Sequence, residues 1–234
     1  LDDEVAARID RHQRSAKIID NLHYLVQETG VHLHTDLIVG LPGEDLASFG
    51  RGFDRLLATG VQEIQVGILK RLRGTPIAHH TEPFQMLYSP LPPYELLGHR
   101  DLGRVEMTRM RRFARYWDSF ANSGRFVRTL PLLLEGGSAF ERFLAFSDWL
   151  FERFGQCHGL SLMVRLEATF EYLVAVCDQP PEPAAQALYA DHRRVVGKDH
   201  VPEVLRPFVD HVSVQSSERH AHIPARQRRH MVES

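Results

Sequence analysis

The chain has 234 residues, 43% of them hydrophobic and 25% charged, with a formal net charge of -2. That length suits one large domain or two small ones. The balance leaves no basic stripe for nucleic acid, and apolar runs such as Leu130 to Leu134 fall far short of the ~20 residues a bilayer span needs. The opening LDDEVAARID is acidic and lacks the apolar core of a signal peptide. The two cysteines, Cys157 and Cys177, form no CxxC pair, so no disulfide framework is expected. These features describe a cytoplasmic protein with neither a membrane nor a nucleic-acid partner.

Residues 3–29 carry two apolar stripes with helical spacing, Val5–Ala6–Ile9 and Ile18–Ile19–Leu22–Leu25–Val26, and Gly30 is a natural stop. A strand is expected at 31–39. Its odd positions, Val31, Leu33, Thr35, Leu37 and Val39, are largely apolar; its even positions, His32, His34, Asp36 and Ile38, are largely polar. GLPGED follows, then a helix bearing Phe49, Phe53, Leu56 and Leu57 and ending at Gly60, then a second strand at 61–69. Strand, helix and strand within about 30 residues is the size of a βαβ crossover, which implies parallel strands. The helix before the first strand implies a further strand upstream.

Residues 71–93 hold five prolines and little periodicity, which describes a long loop. Helical stripes then occupy 104–121, 138–154 and 160–177, with a break at QPPEP and a further helix near 183–195. Asn122-Ser123-Gly124 reads as a plain connector between two of these stripes. The end of the chain, from about Val214, is polar and rich in Arg and His and is expected to be mobile; His220 and His222 within it are assigned no role.

In a parallel barrel one strand parity points inward and the other meets the helices. The apolar odd face should pack outward on helices and the even face should point to the interior. Ligand sites in such folds lie at the C-terminal strand ends, nearest Asp36, Ile38 and Gly40. The GLPGED loop is a poor phosphate cradle, because it has neither GxGxxG nor a Walker lysine and carries two acids; those acids suit the start of the next helix. His32 and His34 form an HxH pair that, with Asp36, could hold a metal, with His79-His80 as the nearest further candidates. Both readings of the strand, ligand site and satisfied interior, stand at this point.

DLIVGLPGED followed by a strand and RGTPI resembles the radical S-adenosylmethionine (radical SAM) superfamily, in which the fifth strand of a partial (β/α)6 barrel reads much like D-x-I-x-G-x-P-G-[ED] and the sixth leads into a loop often containing GTP. GILKRLRGTPI, YSPLPPYELL and NSGRF together resemble the members that carry an N-terminal cobalamin-binding domain and a C-terminal helical domain. The resemblance spans roughly residues 1–180. It implies an α/β fold: the C-terminal part of a partial TIM-type barrel over 1–93, an α-helical domain over 94–195 and a polar tail over 196–234, mostly helical overall.

It also implies that Asp36 bonds the ribose hydroxyls of S-adenosylmethionine, that Ile38 packs on adenine, that Gly40 leaves room for the nucleoside, and that Leu69 and Lys70 meet adenine largely through backbone. The family's C-x3-C-x2-C motif, whose thiolates hold a [4Fe–4S] cluster, has no counterpart here. The chain, which starts at Leu1, is therefore expected to be the C-terminal piece of a longer enzyme, inactive alone. Its partners would be the missing N-terminal half and an unknown small-molecule substrate, with cobalamin possible through the missing domain. The rival readings are a metal-dependent hydrolase fragment using His32, His34 and Asp36, and a non-catalytic helical interaction module.

Overall fold

The computed structural model describes residues 2–11, 14–197 and 200–209. Helix dominates, and strands form only two small sheets. Among the described residues no helix is long and apolar enough to cross a membrane.

The N-terminal helical stretch is two helices, α1 (Asp3–Arg8) and α2 (Ser15–Thr29). Asp2 caps α1 by accepting from the Glu4 and Val5 N–H groups, and Gly30 closes α2 at φ 61°. The first strand, β1, is shorter than expected, at His34–Val39. The Leu33 N–H is taken by the Gln62 side chain at 2.8 Å, so the ladder begins one residue later. Helix α3 (Leu46–Leu57) follows, capped by Asp45, which accepts from the Ser48 N–H at 2.7 Å. Strand β2 (Glu63–Ile68) then pairs parallel with β1, with His34 opposite Glu63 and Ile38 opposite Gly67. The βαβ unit expected from the spacing is present.

The 71–93 stretch is not all loop. A 3₁₀ turn spans Pro76–His80, and β3 (Leu87–Tyr88) pairs antiparallel with β4 (Leu96–Gly98). This pairing crosses the position 93/94 at which the sequence suggests a domain boundary. Just before β4, Lys70 and Glu95 form a bridge, and the Leu96 N–H donates to the Leu69 carbonyl at 2.8 Å. Residues 94–98 thus line the end of β2.

The helical region is built on α4 (Arg104–Trp117), a short α5 (Leu130–Leu134), α6 (Ala139–Phe154), α7 (Leu162–Glu171) and α8 (Pro181–Val196). Helices α4 and α7 each widen at their C-terminal ends into a π turn, at Asp118–Asn122 and Tyr172–Val176. Ser138 and Glu141 begin α6 with the S-x-x-E pattern of a capping box, and the Ser138 hydroxyl accepts from the Glu141 N–H at 3.1 Å. Part of the stretch expected as polar tail over 196–234 packs on the helices. Residues 203–208 form a 3₁₀ turn in which Leu205 is fully buried and Phe208 lies 5.4 Å from the Phe170 ring. Apolar burial outweighs the Pro and charge content that made this stretch look like tail. Residues 210–234, including His220 and His222, lie outside the described residues.

Packing joins the two regions through α3. Phe53 sits 5.3 Å from Phe113 and 4.8 Å from Trp117, both edge to face. Gly50 lets α6 come close, because a Cβ there would stand 2.5 Å from Phe140. Asp54 then accepts from the Phe140 N–H at 2.7 Å and satisfies a free donor at the start of α6.

Candidate functional site

Parallel register places His34, Asp36 and Ile38 on one sheet face with Glu63, Gln65 and Gly67, and Leu37 and Val39 on the other with Ile64 and Val66. The second face meets the helices, as the apolar odd positions of β1 require, and Val39, Ile64 and Val66 are buried. The first face does not point into a closed interior. The side chain of Asp36 is 73% exposed and that of His34 47%, with His34 Nε2 3.7 Å from Asp36 Oδ1. Gln65 is exposed too, while Ile38 and Gly67 are half-buried. Among the described residues this face is open to water at His34, Asp36 and Gln65, while Glu63 at its start is buried. Among the described residues β1 has a strand on one side only.

The HxH pair does not converge. His32 Nε2 lies 3.0 Å from Glu63 Oε1, whose side chain is buried, while His34 turns toward Asp36. His79 and His80 lie on the 3₁₀ turn, where the His80 ring sits 5.9 Å from Phe84. Among the described residues no three His, Cys, Asp or Glu side chains gather where they could hold a metal ion. Among the described residues His32, His34 and Asp36 therefore do not form a metal-ligand set.

The remaining candidates gather at the C-terminal ends of the strands. Gly40 is buried at φ 93°, and a Cβ on it would stand 2.4 Å from Leu96 Cδ2, so residues of β4 and α4 already fill the space beside it. Leu69 is buried, with its N–H bonded to the Val39 carbonyl at 3.0 Å and its carbonyl to the Leu96 N–H. Its backbone is spent on the sheet. Lys70 is exposed at the same end. Asp36 and Ile38 thus lie on one sheet face, Lys70 is exposed at the end of the neighbouring strand, and Gly40 and Leu69 are buried at the same strand ends.

Two functional features escaped the sequence reading. Glu44, taken with Asp45 as an acid at a helix start, is 4% exposed. Burial, with Asp2 and Asp45 nearby, pushes its carboxyl up to about 7. Asp45 is the N-cap, so Glu44 occupies the preceding position, which commonly packs back on its helix and usually holds an apolar residue. The capping pattern was the available signal. Arg8 closes over this loop, donating to the Pro42 carbonyl at 3.5 Å.

The second feature is Asn122. Far from a plain connector, it is 2% exposed and bonds the β2 backbone twice: its Oδ1 accepts from the Ile64 N–H at 3.1 Å and its Nδ2 donates to the Ile64 carbonyl at 3.0 Å. One amide stands in for a neighbouring strand on the outer edge of β2.

Cys157 and Cys177 are free and partly buried. Burial raises both thiols, and each shares a hydrogen bond with a tyrosine, Tyr116 and Tyr172 respectively. Two separately engaged thiols cannot supply the three thiolates of a [4Fe–4S] site.

An open parallel βαβ unit joined to an aromatic-cored helical region defines the class of architecture. The chain belongs to the family described as "Protein of unknown function (DUF4080)", whose model matches residues 82–229. That match takes in β3, β4 and the helical region and leaves β1 and β2 outside it. No curated protein matches the chain.

Proposed function

We propose that this chain is the C-terminal part of a radical SAM enzyme, with β1 and β2 as the last two strands of a partial (β/α)6 barrel and the helical region set against their outer side. The observation that carries the reading is the open face: a polar, solvent-exposed strand ending in DLIVGLPGED, with strand pairing on one side only. Domains of this family are often found in cobalamin-binding radical SAM proteins, which supports the same reading. The preceding half of the barrel would cover the face and supply the cluster cysteines, since this chain's own thiols do not fit a cluster.

S-adenosylmethionine fits the residues present in part. Asp36 offers an exposed carboxylate acceptor for a ribose diol, Ile38 an apolar contact on the same face, and Lys70 exposed chain at the neighbouring strand end. Gly40 and Leu69 are buried at the same strand ends. When bound in the joined protein, the cofactor would supply the radical or methyl chemistry. The chain alone would bind it weakly and turn nothing over. Its setting would be cytoplasmic, and cobalamin would enter through a preceding domain.

The test joins this chain to the segment encoded upstream of Leu1 and measures S-adenosylmethionine retention by equilibrium dialysis. A CxxxCxxC motif in that segment is expected. Asp36→Ala should weaken retention about tenfold or more, the size of one lost charge-assisted hydrogen bond. Unchanged retention in Asp36→Ala, or no such motif in any upstream reading frame, overturns the proposal.

A further inference from the structure

A cavity of about 430 Å³ opens in the helical region, between the π turn at 118–122 and the segment 157–165. Two arginines line it, Arg125 and Arg165. Arg165 is only 6% exposed. Its Nη1 donates to the Ser119 carbonyl at 2.7 Å and its Nε to the Ser161 carbonyl at 3.4 Å, while its guanidinium lies 5.8 Å from the Phe120 ring centre and 5.9 Å from that of Phe126. All of these partners are neutral. The Nε of Arg125 is buried with no hydrogen-bond partner. Among the described residues neither arginine has a carboxylate in an ion pair. Asp118 lines the same cavity and has interactions of its own.

A buried cation without a counter-charge is costly, and a second cation beside it raises that cost. Burial and the charge of Arg125 both work against the protonated form of Arg165. Guanidinium stays charged at any ordinary pH, so an anion entering the cavity would offset that cost. The π turn helps to build the place. Its widened backbone presents the Ser119 carbonyl to both Arg165 and the Ser123 hydroxyl, and such turns recur at functional sites. Cys157 borders the cavity, but burial raises its thiol and Tyr116 shares its hydrogen bond. The pocket is suited to holding a ligand and not to nucleophilic attack.

We infer that this cavity is a binding site for a small molecule bearing a carboxylate or phosphate group, which Arg125 and Arg165 grip through their planar forks. The inference rests on the helical region alone and stands whether or not the sheet belongs to a radical SAM barrel.

Titration calorimetry of the 234-residue chain with inorganic phosphate, and separately with acetate, at constant ionic strength tests it. Saturable binding of at least one probe at one site per chain is expected, and the stronger of the two tells phosphate from carboxylate. Arg125→Gln, which leaves the Arg165 contacts in place, should weaken that binding at least tenfold. Arg165→Lys should weaken it too, with a thermal melt of each variant confirming that it folds. Arg128→Gln, changing an exposed arginine outside the cavity, should leave it unchanged. No saturable binding of either probe, or equal weakening by Arg125→Gln and Arg128→Gln, overturns the site.

Discussion

Between α4 and α6 the rings of Phe113, Trp117, Phe143 and Phe146 are buried, with Phe143 4.9 Å from Trp117 and 5.8 Å from Phe146. On β1, the side chain of Asp36 stands 73% exposed. The helical region is held by interlocking aromatics that each touch several others. The sheet is held on one face by the helices and at the edge of β2 by Asn122. The contrast separates residues that stabilise this chain from residues left free for something outside it.

The comparison breaks most sharply at Phe143. Its truncation to Ala removes edge-to-face contacts with Phe113 and Trp117 from a fully buried site. A loss of about 3–5 kcal/mol is expected from a urea melt. A loss below 1 kcal/mol would mean that the helical core is not the anchor. Asn122→Ala comes next. It leaves the N–H and carbonyl of Ile64 buried without partners and should cost about 2–3 kcal/mol, with faster hydrogen exchange at Ile64 as the local readout. An unaltered Ile64 exchange rate would show that the sheet does not depend on this clamp.

Glu44 sharpens the comparison through pH. Its folded carboxyl titrates near 7, above the ordinary 4.5, so folding favours the protonated form. That contribution is complete below about 4.5, declines as pH rises through about 7, and is gone above it. Glu44→Gln should therefore match the wild type near pH 4 and exceed it at pH 8 by at most about 3 kcal/mol. Thermal melts across that range check it; a constant difference between the two proteins at all pH values would contradict it. The smallest effect belongs to Asp36→Asn, which should change stability by no more than about 0.5 kcal/mol. A larger loss would place Asp36 among the structural residues and weaken its assignment to a ligand.

What was legible in the sequence follows from the range of the forces involved. The β1–α3–β2 unit could be read because alternation, helical spacing and Gly60 are local signals. Four helical stripes were visible for the same reason. Asn122 was not, because its partner Ile64 lies 58 positions away and NSG looks like any turn. Helix α5 was missed because the groups around its start are bonded by Asp191, 62 residues on, which accepts from both the N–H and hydroxyl of Thr129. The π turns leave no distinct periodicity. At the candidate site, the alternation of β1 put Asp36 and Ile38 on one strand face, and the register keeps them together. The packing of the loop at Gly43 and Gly40 involves Arg8, Leu96 and Met107, which no local pattern links to GLPGED.

The amide of Asn122 has one more consequence. By occupying the Ile64 backbone it blocks the outer edge of β2 at that residue, and residues 94–96 bond the chain just past the end of β2. Among the described residues the edge of β1 carries no such block, so a new strand can zip on beside β1. Two copies brought together through that edge around a twofold axis would run β1 against β1 in opposite directions, so the chain carries a sticky edge with a block at Ile64 on the other side.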